Sequence, residues 1–338
     1  MRLFVANLGA LLFTVSMSDD KGVFTGHIEA DSASETDSAL GEDQSTYTAS
    51  LRSSLLQSVS ENGRGYHKYR DGQYIVPEDK TEQDRLDMQH EMFIRTFGGK
   101  IHLAPVREAY EVLDLGTGTG IWAVDFADAN PQANVLGIDL SPIQPTYAPP
   151  NCKWEVEDFE NEWTFKQKFD FVHGRMLLTS VADFPRLMRQ TYDALQPGGW
   201  FELSDLYMPV LSDDGTIKDT SLQAWNDQFL VACKRFGRNP SLAAKYKDFM
   251  LEAGFIDVQE TMFKWPINTW AKDKALKEIG RWNYINMMEG MEGFTVRLFT
   301  KALGQTFEEV QVLLAGMRKD CADRSIHSYW PMCVSFAQ

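Results

Sequence analysis

The stretch Val112-Leu113-Asp114-Leu115-Gly116-Thr117-Gly118-Thr119-Gly120-Ile121-Trp122-Ala123-Val124 decides the fold. A short apolar strand runs into alternating glycines and then into the opening of a helix. Glycine has no Cβ, so it admits positive φ angles and lets the backbone approach a ligand closely. A second apolar run, Val135-Leu136-Gly137-Ile138, ends on Asp139. That acid stands roughly 20 residues past the glycines, where a carboxylate reaches both hydroxyls of a ribose in nucleotide-binding βαβ units. Glycines, strand, helix and acid together point to a nucleoside ligand. The alternatives are a glycine-rich turn that holds nothing and, for Asp139, an ordinary cap in Asp-Leu-Ser-Pro turn chemistry.

The spacing narrows the choice of nucleoside. A dinucleotide fingerprint reads G-x-G-x-x-G and aims a helix N-terminus at a pyrophosphate. Here the pattern is G-x-G-x-G with Asp114 just before it. A carboxylate there repels pyrophosphate but accepts hydrogen bonds from a cationic amino group. The arrangement resembles motif I of the class I S-adenosylmethionine methyltransferases, whose ligand carries an α-ammonium and a sulfonium. The resemblance implies that Asp114 and the backbone of Gly116, Thr117, Gly118 and Gly120 hold the methionine end, with Asp139 and Leu140 at the ribose. An acid after the third strand commonly bonds the adenine amino group in this fold. In Trp154-Glu155-Val156-Glu157-Asp158-Phe159 that acid is Asp158, with Glu157 as competitor and Phe159 packing nearby.

Composition fits this reading. The 338-residue chain is 43% hydrophobic and 12% aromatic, enough for a large α/β domain with additions. A net charge of −15 without a Lys/Arg cluster argues against a nucleic-acid surface. The cysteines, Cys152, Cys233, Cys321 and Cys333, are dispersed, which suits a reducing compartment and no zinc site. Leu3 to Val15 looks like a signal-peptide core behind Arg2, but Ser16-Met17-Ser18 is a poor cleavage site and the run is too short to span a bilayer. Residues 1–16 therefore read as a gene-model extension or an unstructured lead. The protein is expected in the cytoplasm or nucleus, without a membrane or nucleic-acid partner.

Residues 1–60 are acidic, rich in Ser and Thr, and expected to be disordered, because they bury too little to offset the entropy of ordering. The methyltransferase domain is expected over 61–338. A helix is predicted over Thr81–Phe97, stopped by Gly98-Gly99. Strands are predicted at Glu111–Leu115, Asn134–Asp139, Cys152–Val156, Phe169–His173 and Gly199–Leu203, with helices at Ile121–Asn130 and Ala182–Leu195. This alternation predicts a Rossmann-like, seven-stranded, mostly parallel sheet covered on both faces. Gly254–Val258 and Ser328–Phe336 are expected as the last two strands, forming the antiparallel end. Helical lid insertions are expected around 205–250 and 266–325.

The stretch Asp84-Arg85-Leu86-Asp87-Met88-Gln89-His90, the turn Gly98-Gly99-Lys100-Ile101-His102-Leu103-Ala104-Pro105, motif I and His173-Gly174-Arg175 together resemble the fungal LaeA-like methyltransferases. The resemblance covers roughly Tyr66–Leu203 well and the rest loosely. It implies S-adenosylmethionine as cofactor and one of two roles. One is methylation of a small molecule of fungal secondary metabolism. The other is regulation of that metabolism through velvet-type protein partners. His173, at the end of the fourth strand, is a candidate general base or a histidine bonded beneath the pocket. Tyr74 and His90 are candidates to close over the cofactor. Asp205, Trp282, Met287 and Met291 are candidates for the acceptor pocket, against the alternatives of loop cap and plain core.

Overall fold

The computed structural model describes residues 26–31, 58–61, 63–67 and 77–338. Strands β1 (Ser58–Glu61) and β2 (Arg64–His67) form an antiparallel hairpin ahead of α1 (Lys80–Thr96). Asp79 caps α1 by accepting from the amide of Glu82, and it also grips Arg64 at 2.6 Å, tying hairpin to helix.

Next come β3 (Glu111–Leu115), α2 (Ile121–Ala129), β4 (Asn134–Asp139), β5 (Cys152–Val156), β6 (Phe169–Arg175), α3 (Phe184–Ala194) and β7 (Leu195–Leu206). The strands pair in parallel in the order β5-β4-β3-β6-β7. The order reverses between β3 and β6, so a crevice opens past their carboxyl ends. β3 and β6 are buried almost throughout because helices cover both faces. Val112, Val135 and Phe171 pack toward α2, while Leu113, Leu115, Ile138 and Val172 pack on the opposite face with α3.

Beyond β7 the sheet turns antiparallel. β10 (Ser328–Ala337) lies between β7 and β9 (Gln259–Pro266), and the short β8 (Leu211–Ser212) pairs with its start. Between these strands run α4 (Ser221–Arg235), α5 (Tyr246–Ala253), α6 (Lys274–Leu303) and α7 (Phe307–Ala322). α6 packs against α1, α4 and α7, forming a helical layer over one end of the sheet.

The sheet has eight strands rather than seven, with the two-residue β8 as the extra one, and two further expectations need correction. Gly254–Val258 is not a strand: Gly254 takes φ 106° and ends α5, the amide of Phe255 turns back to Met250, and β9 begins only at Gln259. Nor is the stretch up to residue 60 wholly disordered. Residues 26–31 lie along the domain, with Ala30 bridged to Ala271 and Ile28 buried against Trp270, Leu276 and Tyr329. One apolar side chain and one edge pairing order this short piece, aided by a Glu29–Lys272 ion pair. Residues 1–25 and 32–57, including the Leu3–Val15 run, lie outside the described residues. No described helix is long and apolar enough to cross a membrane.

Candidate active site

A cleft of about 800 Å³, its open mouth included, lies past the ends of β3, β4 and β5. Its wall includes Gly116, Gly118, Asp139, Leu140, Asp158 and Phe159. Gly116 and Gly118 take φ 60° and 57°, angles that disfavour any side chain. A Cβ on Gly116 would stand 2.7 Å from Leu177 and project toward Phe159 at 3.5 Å, into the space the turn keeps open. Asp139 accepts the amides of Gly118 and Ser141 at 2.8 and 2.9 Å, which fixes the carboxylate at the cleft wall. Burial pushes its pKa up while those amides oppose the shift. A carboxylate has about four acceptor sites, so two amides leave capacity for ligand hydroxyls. Asp158 caps the turn after β5 by accepting from Glu160 at 2.9 Å, with its side chain in the same wall.

Other predicted cofactor residues are placed differently. Gly120 caps α2 at φ 81°, where a Cβ would stand 2.5 Å from the Trp154 ring; it serves the packing beneath the cleft. Thr117 donates to Asp114 at 2.6 Å. The other Asp114 oxygen faces His173 Nδ1 at 2.7 Å, and the His173 ring stacks on Trp122 at 3.7 Å. Asp114 and His173 are cross-strand partners in the β3–β6 register, so they point the same way and satisfy one another. His173 is 1% exposed, and desolvation pulls its pKa down to about 4. The candidate base is therefore a sealed, neutral imidazole bracing the Asp114 turn from behind, and Asp114 is engaged within the protein. His90 is likewise an internal link: its Nε2 meets Asp125 at 2.8 Å and its Nδ1 meets Arg175 at 2.7 Å. Desolvation lowers its pKa too. Tyr74 lies outside the described residues.

Arg175 was missed by sequence reasoning. It follows the register pair Leu115–Gly174, so it stands abreast of Gly116 and lines the cleft. Its guanidinium is held by His90 and lies over the Phe93 ring at 5.1 Å, with no carboxylate in ion-pair contact among the described residues. Desolvation lowers its pKa to about 10, so it remains a cation at neutral pH. A half-buried cation with no ion-pair partner among the described residues is open to an anionic ligand group, which would offset its partial desolvation. A carboxylate fixed at the cleft wall, an open glycine turn and a cation with no ion-pair partner among the described residues together fit S-adenosylmethionine.

A second cavity of about 1040 Å³ adjoins the first, sharing Leu86, Gly118, Asp139, Met176 and Ser180. Its walls come from α1, α4, α6 and the inner strands, and are largely apolar: Met208, Trp225, Phe229, Met287, Phe294 and Trp330. One side is polar, where Arg85 donates to Glu82 at 2.6 and 3.0 Å and to Asn286 at 2.6 Å. Gly290 makes this possible, since a Cβ there would lie 2.9 Å from the Arg85 side chain.

Of the α6 cluster expected to form the acceptor pocket, Met287 and Phe294 line this chamber. Met291, one turn on, is fully buried core. Trp282 faces outward, donating to Glu278 and lying beneath Arg95 at 4.9 Å. Asp205 is an internal brace that accepts from the Leu178 amide at 3.1 Å and from the Tyr246 hydroxyl at 2.6 Å. Burial pushes its pKa up to about 7.

Residues 86–260 match a family model described as a methyltransferase domain. The chain is 42% identical to Methyltransferase pytC of Aspergillus terreus, over 88% of this chain and 92% of that protein. It is 38% identical to Secondary metabolism regulator LAE1 of Cochliobolus heterostrophus, over 80% of this chain and 91% of that one. Among solved structures it is similar to Haemonchus contortus phosphoethanolamine N-methyltransferase 2 in complex with S-adenosyl-L-methionine. That likeness has 18% identity and a TM-score of 0.43, covering 79% of this chain and 54% of the other. The chain belongs to the fungal LaeA-like family of class I, S-adenosylmethionine-dependent methyltransferases.

Proposed function

We propose that this chain methylates a small, mainly apolar molecule seated in the chamber between α1, α4 and α6. The observation that carries this reading is the wall shared by the two cavities, which sets the chamber directly beside the cleft at Gly118 and Met176. Bound S-adenosylmethionine supplies an activated methyl group on its sulfonium. In this reading Asp139 holds the ribose and Asp158 with Phe159 frames the adenine. Gly116 and Gly118 admit the methionine end, whose carboxylate pairs with Arg175. Leu86, Met176 and Ser180 align acceptor and methyl, and the aromatic chamber excludes water. Alignment of this kind contributes about 7–11 kcal/mol to barrier lowering, so the chemistry does not require a histidine base. The concave, largely apolar lining of the chamber favours a small acceptor over a protein segment.

The test is incubation of purified protein with methyl-tritiated S-adenosylmethionine and a fungal culture extract split into low-molecular-weight and protein fractions. Label is expected in the organic-extractable, low-molecular-weight fraction. Label confined to protein would overturn this reading in favour of a LaeA-type regulator working through protein partners.

A further inference from the structure

Two polar groups of the acceptor chamber have no hydrogen-bond partner among the described residues: the indole Nε1 of Trp330, a lone buried donor, and the carboxamide of Gln89, which offers donor and acceptor together. Gln89 lies on α1, one helical turn after Arg85, and its side chain lines the cavity. The residue is only 4% exposed. Its carboxamide makes no hydrogen bond to any of the described residues. The neighbouring polar groups are occupied with one another: Glu82 with both Nε and Nη2 of Arg85, and Asn286 with Nη1 of Arg85 and with Asn283. Facing them are Trp225, Phe229, Phe294 and Trp330.

A carboxamide presents an N–H donor and a C=O acceptor side by side, and in apolar surroundings each costs free energy until a partner meets it. Ligand classes differ in how well they do so. A lone hydroxyl or ring nitrogen does not match both groups in one plane. A carboxylate brings no donor, and it meets Glu78 and Glu82 in the same cavity wall while Arg85 is already committed to Glu82. A cis-amide edge, as in a lactam or pyridone ring, offers acceptor and donor in the complementary order and closes both bonds at once. The aromatic side chains opposite suit the flat apolar body of such a ring.

We infer that the acceptor is a neutral, flat, largely apolar molecule carrying a cis-amide edge, and that Gln89 is the residue that reads that edge. This rests on the chamber being the acceptor site. It makes Gln89 a specificity-determining residue that positions the substrate without touching the cofactor.

The test uses full-length protein saturated with S-adenosylhomocysteine, titrated calorimetrically with 2-quinolone (a lactam edge), quinoline (an acceptor only) and 2-naphthoate (an anion). The wild type is expected to bind 2-quinolone about tenfold more tightly than quinoline, the scale of one completed buried hydrogen bond. Gln89→Leu is expected to abolish that preference while quinoline binding persists. Gln89→Met serves as a second, unbranched variant, and unchanged S-adenosylhomocysteine affinity in either shows that the fold and cleft survive. Equal binding of 2-quinolone and quinoline by the wild type, or a preference that survives in both variants, would overturn the role of Gln89 and leave the apolar chamber intact. Tightest binding of 2-naphthoate would overturn the neutral-acceptor claim. Absence of binding by all three probes, with S-adenosylhomocysteine bound, would overturn the chamber itself as an acceptor site.

Discussion

The cleft and the chamber share a wall, yet they are assembled from different ranges of chain. The cleft draws Gly116, Gly118, Asp139 and Asp158 from strand ends within residues 116–158, and adds Arg175 from the end of β6 and Leu86 from α1. The chamber gathers Gln89, Met208, Trp225, Met287 and Trp330 from α1, β7 and its following loop, α4, α6 and β10. In the cleft the working parts are backbone angles and short carboxylates fixed by amides. In the chamber they are large side chains on helices, held by packing and by one polar cluster. A site made of backbone can change little without losing its ligand. A site made of helix-borne side chains can be refitted to another acceptor while the sheet and cofactor cleft remain the same.

This contrast breaks first where backbone geometry is touched. Gly120→Val places a branched side chain at φ 81° against Trp154. It is expected to destabilise the fold by about 2–4 kcal/mol and to abolish S-adenosylhomocysteine binding. Thermal unfolding with and without that ligand checks both. Next in size, Arg175→Gln is expected to weaken S-adenosylhomocysteine by about 1.5–3 kcal/mol, the range for hydrogen bonds to charged groups. Binding of 5′-methylthioadenosine, which lacks the amino-acid portion, should be unchanged. Equal losses for the two ligands would remove Arg175 from the carboxylate.

The brace behind the cleft has a pH signature. His173 has a folded pKa of about 4, below the ordinary value near 6.5 of the unfolded chain. The unfolded state therefore binds the extra proton first, and the contribution of neutral His173 is complete above about pH 6.5 and lost as pH falls toward 4. His173→Asn should lower stability at pH 7 yet flatten its decline between those pH values, a difference of order 1–2 kcal/mol in urea unfolding. Lowered pKa values at His90 and His102 are present in both proteins, so the difference between them reports His173. A parallel decline in the two proteins would contradict the sealed, neutral imidazole. The smallest effect is expected in the chamber. Met287→Leu conserves volume and should cost under about 1.5 kcal/mol of stability, leaving S-adenosylhomocysteine affinity unchanged while altering the KM for an acceptor.

Much of the sheet and cleft was legible because its signals are short-range. Alternating glycines and an acid at a strand end report an open turn and a carboxylate at its edge within one βαβ unit. His173 misled because a residue at a strand end is visible in sequence, whereas the β3–β6 register that pairs it with Asp114 is not. The same register put Arg175 beside Gly116, although its place in His173-Gly174-Arg175 was in plain view. On α6 the cluster of Trp282, Met287, Met291 and Phe294 was visible, but not which neighbour each would face. Trp282 meets Arg95, Met291 the core, and Met287 and Phe294 the chamber. Gln89 and its polar neighbours depend on α1 packing against α6, with Arg85 reaching Asn286 across 201 positions of chain. No local pattern announces such a contact.

The central claim is that a backbone-built cofactor cleft operates beside a separately built acceptor chamber. Titration of S-adenosylhomocysteine into the wild type, Asp139→Ala and Met287→Leu tests it most directly. One-to-one binding by the wild type, a loss of about 1.5–3 kcal/mol in Asp139→Ala without unfolding, and undiminished binding in Met287→Leu are expected. Full affinity in Asp139→Ala, or equal loss in both variants, would contradict it.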